Sequence, residues 1–335
     1  MSEPTFVEPP PRRGFLSSPA GKIVRALAGA AVLVLVVRKV PLHDLGERIA
    51  HVRAIDAVVL VVLALLQFST GAVRWWRLFR RLDERPSFGA VYRDLLVGAL
   101  FNTFLPTNVG GDVIRALRAS RRIQEGHRAW SSSLFERLVG MLTLAMVGAV
   151  AAVFAVGEAL PVRARIVVVA VTLVLGLGFF FIATPLRILV GFLEKRLPSA
   201  FIADVRGVIA DLEGPLATTP ARIETFAWSV VGFFLGIALT SFGATALGAP
   251  GQTLAILVGI PIISVLALAP ISIGGHGLRE GLFVVVLGAL GIPRDVALGL
   301  ALLALTTYIV FALAGGIVLL FEPTTAGAPP RREPS

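Results

Sequence analysis

Two segments of the chain place an arginine shortly after a Gly-Gly pair. The first runs Pro106-Thr-Asn-Val-Gly-Gly-Asp-Val-Ile-Arg115, and the second runs Pro270-Ile-Ser-Ile-Gly-Gly-His-Gly-Leu-Arg279. Both follow the pattern P-x-x-x-G-G-x-x-x-R. A helix that starts at Gly-Gly presents backbone N–H groups and a positive dipole end to an anion. Arginine adds a fork of donors that suits phosphate oxygens. The pattern therefore predicts anion binding at both places.

Carboxylates accompany these arginines. Asp112 is predicted to cap the first helix or to hold Arg115 in place. Arg279 and Glu280 are the only charged residues between Glu224 and Arg294, and a charge at the bilayer centre costs roughly 2.5–3.5 kcal/mol. The predicted substrate-binding residues are Asn102, Pro106, Gly110, Gly111, Asp112, Arg115, Arg118, Glu136, Arg137, Ser272, Gly274, Gly275, Arg279 and Glu280.

Structural interpretations of these residues stay open. Gly-Gly pairs also permit tight helix packing, and Arg115 and Arg118 could extend to the membrane surface. Glu136 and Arg137 could serve as a topological anchor.

The composition indicates that these segments belong to a membrane protein. The chain has 335 residues, of which 56% are hydrophobic and 16% are charged, with a mean hydropathy of +0.85. Soluble domains carry about 25% charged residues. Runs without any charge, such as 166–184, 225–247 and 296–321, are long enough to cross a bilayer.

The predicted fold is an all-α polytopic membrane protein with about six full transmembrane helices and two re-entrant or broken helical hairpins. The predicted spans are 21–40, 55–73, 132–156, 166–184, 224–248 and 296–321, the hairpins occupy 93–115 and 253–291, and 185–222 form amphipathic surface helices. Residues 1–20 and 323–335 are predicted to be disordered tails that flank a domain at 21–322. For the second hairpin, a fully spanning arrangement stays open.

The arginines set the predicted orientation. Residues 74–87 hold five arginines, with Trp75 and Trp76 expected at the headgroup level, and the segment after Arg115 is also basic. The positive-inside rule places both flanks, and both termini, in the cytoplasm. The first hairpin then enters from inside and the second from outside, which indicates an inverted repeat with a site near the midplane.

Several kinds of site and partner are disfavoured. The chain has no cysteine, and its four histidines show no metal-ligand spacing, so neither a metal nor another cofactor is predicted. Its net charge of +10 is accounted for by basic loops at the membrane surface, so nucleic acid is not expected as a partner.

Three ordered motifs carry a resemblance to a known family. They are Asn102-x-x-Leu-Pro-x-x-x-Gly-Gly-Asp-x-x-Arg115, Glu136-Arg-x-x-Gly140 and Pro270-x-Ser-x-Gly-Gly-x-Gly-x-Arg-Glu280. The chain resembles the transmembrane region of lysylphosphatidylglycerol synthases, the flippase-like integral membrane family UPF0104, over about residues 20–322. The resemblance implies an inner-membrane protein that moves lipids between leaflets. Fused members also carry a soluble domain that makes aminoacyl-phosphatidylglycerol.

The leading hypothesis is a lipid translocase for a phospholipid, an aminoacyl-phospholipid or a polyprenyl-phosphate-linked lipid. The arginines would bind phosphate, and Asp112, Glu136 and Glu280 would balance them or bind a cationic headgroup. No catalytic motif is evident. A membrane-embedded transferase acting on a lipid-phosphate and a non-lipid secondary transporter remain alternatives, as do a lipid-modifying enzyme partner and a homo-oligomer.

Overall fold

The described part of the chain is helical. The structure is a computed structural model that describes residues 50–104, 110–155, 199–267 and 277–322, together with residues 47, 166, 170, 187, 188 and 190–192. The predicted spans at 21–40 and 166–184, apart from single positions, and both predicted tails lie outside the described residues. Within the described ranges the α-helices are α1 (Ala54–Arg81), α2 (Phe88–Phe104), α3 (Gly110–Ser120), α4 (Gly126–Ala155), α5 (Ser199–Glu213), α6 (Thr219–Ala246), α7 (Thr253–Leu266), α8 (Leu278–Leu282) and α9 (Arg294–Phe321).

Four of these helices are long and apolar enough to cross a membrane: α1, α4, α6 and α9. They match four of the predicted spans and confirm an all-α polytopic membrane protein. Helix α1 continues through the arginine-rich segment to Arg81, although the sequence analysis ended the span at residue 73. The expectation for Trp75 was wrong, because this side chain is fully buried in the protein and donates to Ser132 Oγ at 3.0 Å.

Helices α2 and α3 form the first predicted hairpin. Asn102 Oδ1 accepts the N–H of Gly111 at 2.7 Å, and Asp94 Oδ1 accepts from Arg118 Nε at 2.8 Å, so the two helices run antiparallel. Residues 105–109, between the two helices, lie outside the described residues. Helix α2 has 17 residues, which at 1.5 Å per residue gives about 26 Å. This is less than the roughly 30 Å of a bilayer core.

Helices α7 and α8 form the second hairpin. Helix α8 continues as a π-helical segment, Phe283–Leu287. A Cβ added to Gly259 would come within 2.5 Å of Leu287 Cδ2, so the π-helical segment lies directly against α7. Helix α7 has 14 residues, or about 21 Å. The chain between the two helices, 268–276, lies outside the described residues.

The two hairpins open toward opposite ends of the long helices. Arg77 and Arg81 at the end of α1 pair with Glu224 at the start of α6, and Arg118 beside the open end of the first hairpin pairs with Glu322 after α9. We call this end the Arg-rich face. At the other end, the start of α1 and the end of α6 line one cavity, and α7 begins a few residues later. We call it the opposite face.

The two halves pack against each other through two equivalent helix contacts. Each half contains a long helix, a hairpin and a second long helix, in that order. The first hairpin helix of each half packs on the last helix of the other half: α2 on α9 and α7 on α4. At one contact, a Cβ on Gly148 of α4 would lie 2.6 Å from Pro261 Cβ of α7. This arrangement is the one that an inverted repeat produces.

Helix α5 is amphipathic and lies at the Arg-rich face. Its side chains Ile202, Ile209 and Leu212 pack into a cluster with residues of α1 and α4, while Asp204 and Arg206 are exposed. Ser131 at the start of α4 also donates to Asp211 Oδ2 at 2.5 Å. The described part of the predicted amphipathic segment is thus fixed to the helix bundle.

The contact between α9 and α2 depends on one glycine. A Cβ on Gly315 would fall 2.0 Å from the carbonyl oxygen of Leu96, whereas a Cβ on the adjacent Gly316 would meet only Leu100 Cδ1, at 3.9 Å. We expect Gly315→Ala to force the helices apart and to cost about 1–3 kcal/mol of stability. Gly316→Ala should be neutral or slightly stabilising because alanine favours the helix.

Thermal unfolding of both variants in detergent would check this contact. A Gly315→Ala protein that melts at the same temperature as the Gly316→Ala protein would contradict the expected close approach.

Candidate functional site

A cavity of about 560 Å³ lies between the two halves. Both hairpins contribute to its wall, together with α1, α4, α6 and α9. One part of the wall is apolar and aromatic and includes Phe68, Leu144, Phe233, Phe283 and Phe311. The polar part holds Gln67, Arg74, Asn102, Asp112, Arg115, Glu136, Arg137, Arg279 and Tyr308. Residues far apart in sequence therefore meet in one amphiphilic chamber.

A continuous chain of ion pairs crosses the polar part of the wall. Glu136 Oε1 accepts from Arg74 Nη2 at 2.6 Å, and Glu136 Oε2 lies 2.7 Å from Arg115 Nη1. Arg115 Nη2 in turn lies 3.1 Å from Asp112 Oδ1, and Asp112 Oδ2 accepts from Arg137 Nη1. The order is Arg74, Glu136, Arg115, Asp112, Arg137, and we call it the ion-pair chain.

The centre of the ion-pair chain is removed from solvent. Glu136 is 3% exposed and Arg115 is 5% exposed. The Arg115 guanidinium also stacks 4.7 Å from the centroid of the Trp75 ring, which stabilises a cation that has lost water. Helix periodicity explains the pairing within α3, because residues three apart share a face.

Arg279 stands apart from the ion-pair chain. Its guanidinium lies 4.6 Å from the centroid of the Tyr308 ring and 5.9 Å from that of Phe283. No carboxylate in the described part of the chain lies within salt-bridge distance of it. The neighbouring Glu280 is buried and instead accepts the N–H of Gly277 at 2.5 Å, where the backbone has a φ of 82°.

Gly111 brings the two arms of the first hairpin into contact. A Cβ there would lie 2.0 Å from the carbonyl oxygen of Gly98, so only glycine fits. The N–H of Gly111 is bonded to Asn102, so this donor is already satisfied at the start of α3. The N–H of Gly111 is thus not free for an anion, and its close packing agrees with the interpretation that Gly-Gly permits tight helix packing, while anion binding at the start of α3 stays a prediction.

The structure separates the predicted residues into groups. Asn102, Gly111, Asp112, Arg115, Glu136, Arg137 and Arg279 line the cavity. Gly110 begins α3, and neither it nor Glu280 is part of the cavity wall. Pro106, Ser272, Gly274 and Gly275 lie outside the described residues.

Arg118 belongs to a different cluster, at the Arg-rich face. It pairs with Asp94 at 2.8 Å and with Glu322, and Arg122 binds the same two carboxylates at 2.6 and 2.7 Å. Burial favours the neutral form of Glu322, but these arginines outweigh it and hold the pKa of the carboxyl below its usual value. The cluster ties the end of α9 to the open end of the first hairpin.

Arg74 and Tyr308 are among the members of the cavity wall that sequence reasoning missed. Arg74 was assigned to the surface cluster, although it lies one helical turn before Leu78, where α1 is still buried. Tyr308 is one of only two tyrosines in the chain and follows Thr306 and Thr307 in a largely apolar span. Among the residues that the structure describes, no group of three acidic or histidine side chains could hold a metal ion.

Glu136 is the carboxylate on which the ion-pair chain is centred. Glu136→Gln would leave the half-buried Arg74 without a counter-charge and the buried Arg115 with Asp112 as its described counter-charge, and removing one partner of a buried pair costs about 3–5 kcal/mol. We expect a clear drop in melting temperature in detergent. Glu213→Gln is the control, since Glu213 pairs with Arg187 at an exposed position and such pairs contribute about 0–1 kcal/mol.

Equal melting temperatures for these two variants would contradict the central place of Glu136 in the fold.

Comparison with known proteins agrees with the sequence resemblance. The search of curated proteins found no match. The family model described as the lysylphosphatidylglycerol synthase TM region matches residues 22–315, a range that contains the cavity-lining residues of both halves. The chain therefore belongs to the lysylphosphatidylglycerol synthase transmembrane-region family, whose members are membrane proteins linked to lipid handling.

Proposed function

We propose that the protein is a lipid translocase that moves a phosphate-bearing lipid between membrane leaflets. The observation that carries the proposal is the amphiphilic cavity between the two hairpins. A lipid that crosses the membrane needs a polar path for its headgroup and apolar surroundings for its acyl chains. The cavity wall offers arginines on one part and phenylalanines on another.

Arg279 has the main substrate-binding role in this proposal. It reaches the cavity from the second half of the chain, and its described partners are the side chains of Phe283 and Tyr308, neither of which is a carboxylate. Its five N–H donors suit phosphate oxygens. The cation is costly inside a membrane, and a phosphate that binds it would offset part of that cost.

The hairpins provide a route for alternating access. They open toward opposite faces and pack against each other's half, so rocking one half against the other would expose the cavity to each face in turn. The ion-pair chain would keep α1, α3 and α4 moving as one unit, because it joins all three helices.

The orientation follows from the charges. The Arg-rich face holds the arginines at the ends of α1 and α3 and the amphipathic helix α5, so we assign it to the cytoplasm by the positive-inside rule. We further propose the inner membrane as the location.

Single cysteines would test this orientation, since the chain contains none. Glu125→Cys lies on the Arg-rich face and Thr253→Cys on the opposite face, both at exposed positions. We expect a membrane-impermeant maleimide to label Thr253→Cys in intact spheroplasts and Glu125→Cys only after permeabilisation. The reversed pattern would overturn the assignment.

Leaflet exchange of a fluorescent phospholipid in proteoliposomes would test the function. We expect Arg279→Ala to lower the exchange rate at least about tenfold, the change that about 1.4 kcal/mol of lost binding produces. Arg121→Ala is the matched control, because Arg121 is exposed on the Arg-rich face and does not line the cavity.

Exchange by the Arg279→Ala protein at the rate of the Arg121→Ala protein would refute the role of Arg279. Chemical turnover of the labelled lipid, detected by chromatography, would instead point to a transferase.

A further inference from the structure

The arginines of the two hairpins occupy the same place in the P-x-x-x-G-G-x-x-x-R pattern, and each lies against an aromatic ring. The guanidinium of Arg115 is 4.7 Å from the centroid of the Trp75 ring, and that of Arg279 is 4.6 Å from the centroid of the Tyr308 ring. Arg115 also contacts both carboxylates of the ion-pair chain. The protein thus supplies anionic partners to Arg115, whereas the described residues supply none to Arg279.

The two aromatic rings also differ in their surroundings. Trp75 is fully buried, and its indole N–H donates to Ser132 Oγ at 3.0 Å, so this ring is held by contacts within the protein. Tyr308 lines the cavity and keeps 44% of its surface exposed. A ligand in the cavity can therefore reach Tyr308, although it cannot reach Trp75.

The Tyr308 hydroxyl has a defined partner. A side-chain hydrogen bond joins it to Arg279. Because a guanidinium has donors only, the oxygen of Tyr308 must be the acceptor in this bond, and the phenol proton remains to be donated elsewhere. Among the residues that the structure describes, none accepts that proton. The hydroxyl is therefore oriented by a cation and can still act as a donor.

Arg279 is in turn held in place by its neighbours. Phe283 lies one turn later, at the start of the π-helical segment, and its ring centroid is 5.9 Å from the guanidinium. π-Helical turns occur frequently at functional sites. Glu280 does not compete for the guanidinium, because its carboxylate accepts the N–H of Gly277. Two rings and one hydroxyl thus position Arg279 at the cavity wall.

We propose that Tyr308 binds the phosphate group of the substrate together with Arg279. The tyrosine oxygen accepts a hydrogen bond from the guanidinium, which positions the hydroxyl, and the hydroxyl donates its own proton to a phosphate oxygen. Hydrogen bonds linked in this way strengthen one another, and a bond to an ionised acceptor is stronger than one between neutral groups. This inference rests on the translocase function proposed above and adds a binding residue to it.

The surroundings of Tyr308 favour a phosphate that belongs to a lipid. Phe311 lies three residues further along α9, on the same face of the helix, and its ring stacks on that of Phe68 with the centroids 4.0 Å apart. Both phenylalanines line the cavity. A phosphate bound at Tyr308 would therefore have apolar rings beside it, which suit an acyl chain and offer nothing to free phosphate.

Removal of the hydroxyl alone would test this role. Tyr308→Phe keeps the ring against Arg279 and loses the proposed donor, so we expect dioctanoyl phosphatidic acid to bind about tenfold more weakly, the effect of one lost bond to a charged group. Binding is measured in detergent by the shift in melting temperature at increasing lipid concentration. Tyr92→Phe is the matched control, because Tyr92 is the other tyrosine and does not line the cavity. Equal affinities of the two variants would overturn the inference.

A double-mutant cycle would separate joint binding from a merely structural role. If Arg279 positions the hydroxyl, the two side chains act as a unit and their effects are not additive. Tyr308→Phe should then weaken lipid binding much less in the Arg279→Gln protein than in the wild type. A hydroxyl that only stabilises the helix packing would give the same loss in both backgrounds, and that result would refute the proposed pair.

Inorganic phosphate distinguishes the two sources of a phosphate group. It is titrated into the same protein under the same conditions as dioctanoyl phosphatidic acid. We expect stabilisation by the lipid at concentrations where inorganic phosphate has no effect, because only the lipid can use the apolar rings. Equal stabilisation by inorganic phosphate would identify a soluble anion as the ligand and contradict the lipid assignment.

Leaflet exchange in proteoliposomes keeps the failure of this inference apart from the failure of the translocase function. Binding that depends on the Tyr308 hydroxyl, without exchange of lipid by the wild-type protein, would uphold the inference and refute the function. Exchange by the wild type, with both rate and affinity unchanged in Tyr308→Phe, would refute the inference and leave the function standing. Neither binding nor exchange by the wild-type protein would refute both proposals.

Discussion

The buried ion-pair chain joins parts of the protein that the sequence keeps far apart. Arg74 lies on α1, Asp112 and Arg115 on α3, and Glu136 and Arg137 on α4. Charged groups withdrawn from water are stable only when their partners are fixed in place, so the position of each helix constrains the other two. Any rearrangement that broke the ion-pair chain would leave a charged side chain without its partner. The first half of the molecule is consequently held as a unit around its polar cavity wall.

Close packing also positions the second half, in addition to the ion pairs that Glu224 and Glu322 make with arginines of the first half. Helix α9 meets α2 at Gly315, and α7 meets the π-helical segment at Gly259. In lipid, helices associate mainly through such van der Waals contacts, because lipid chains are as apolar as the side chains. Arg279 enters the cavity from this half with aromatic neighbours in place of carboxylates. The ion-pair chain on one wall holds three arginines and two carboxylates, whereas Arg279 on the other wall has no carboxylate within salt-bridge distance in the described part of the chain.

The secondary structure of the described helices followed closely from the sequence. Apolar runs long enough for a bilayer predicted α1, α4, α6 and α9, and proline and glycine predicted the two interruptions that became hairpins. The predicted ends of the helices were less accurate. Helix α1 extends eight residues past the predicted end at 73, because the face of the arginine-rich segment that holds Trp75, Leu78 and Phe79 is buried against other helices. Hydropathy averages over a helix and does not detect one buried face among charges.

The sequence by itself determined that the chain enters a membrane, that two broken segments carry arginine, and that Arg115, Glu136, Arg137 and Arg279 have residue types suited to one site. These properties reside in composition and local spacing. The tertiary structure decided which residues share a wall: it brought Arg74 and Tyr308 into the cavity and placed Arg118 with Asp94 and Glu322. It also assigned the Gly111 N–H to Asn102. Such pairings depend on the rotation and register of helices packed on one another, and these are set by contacts between residues that are distant in sequence.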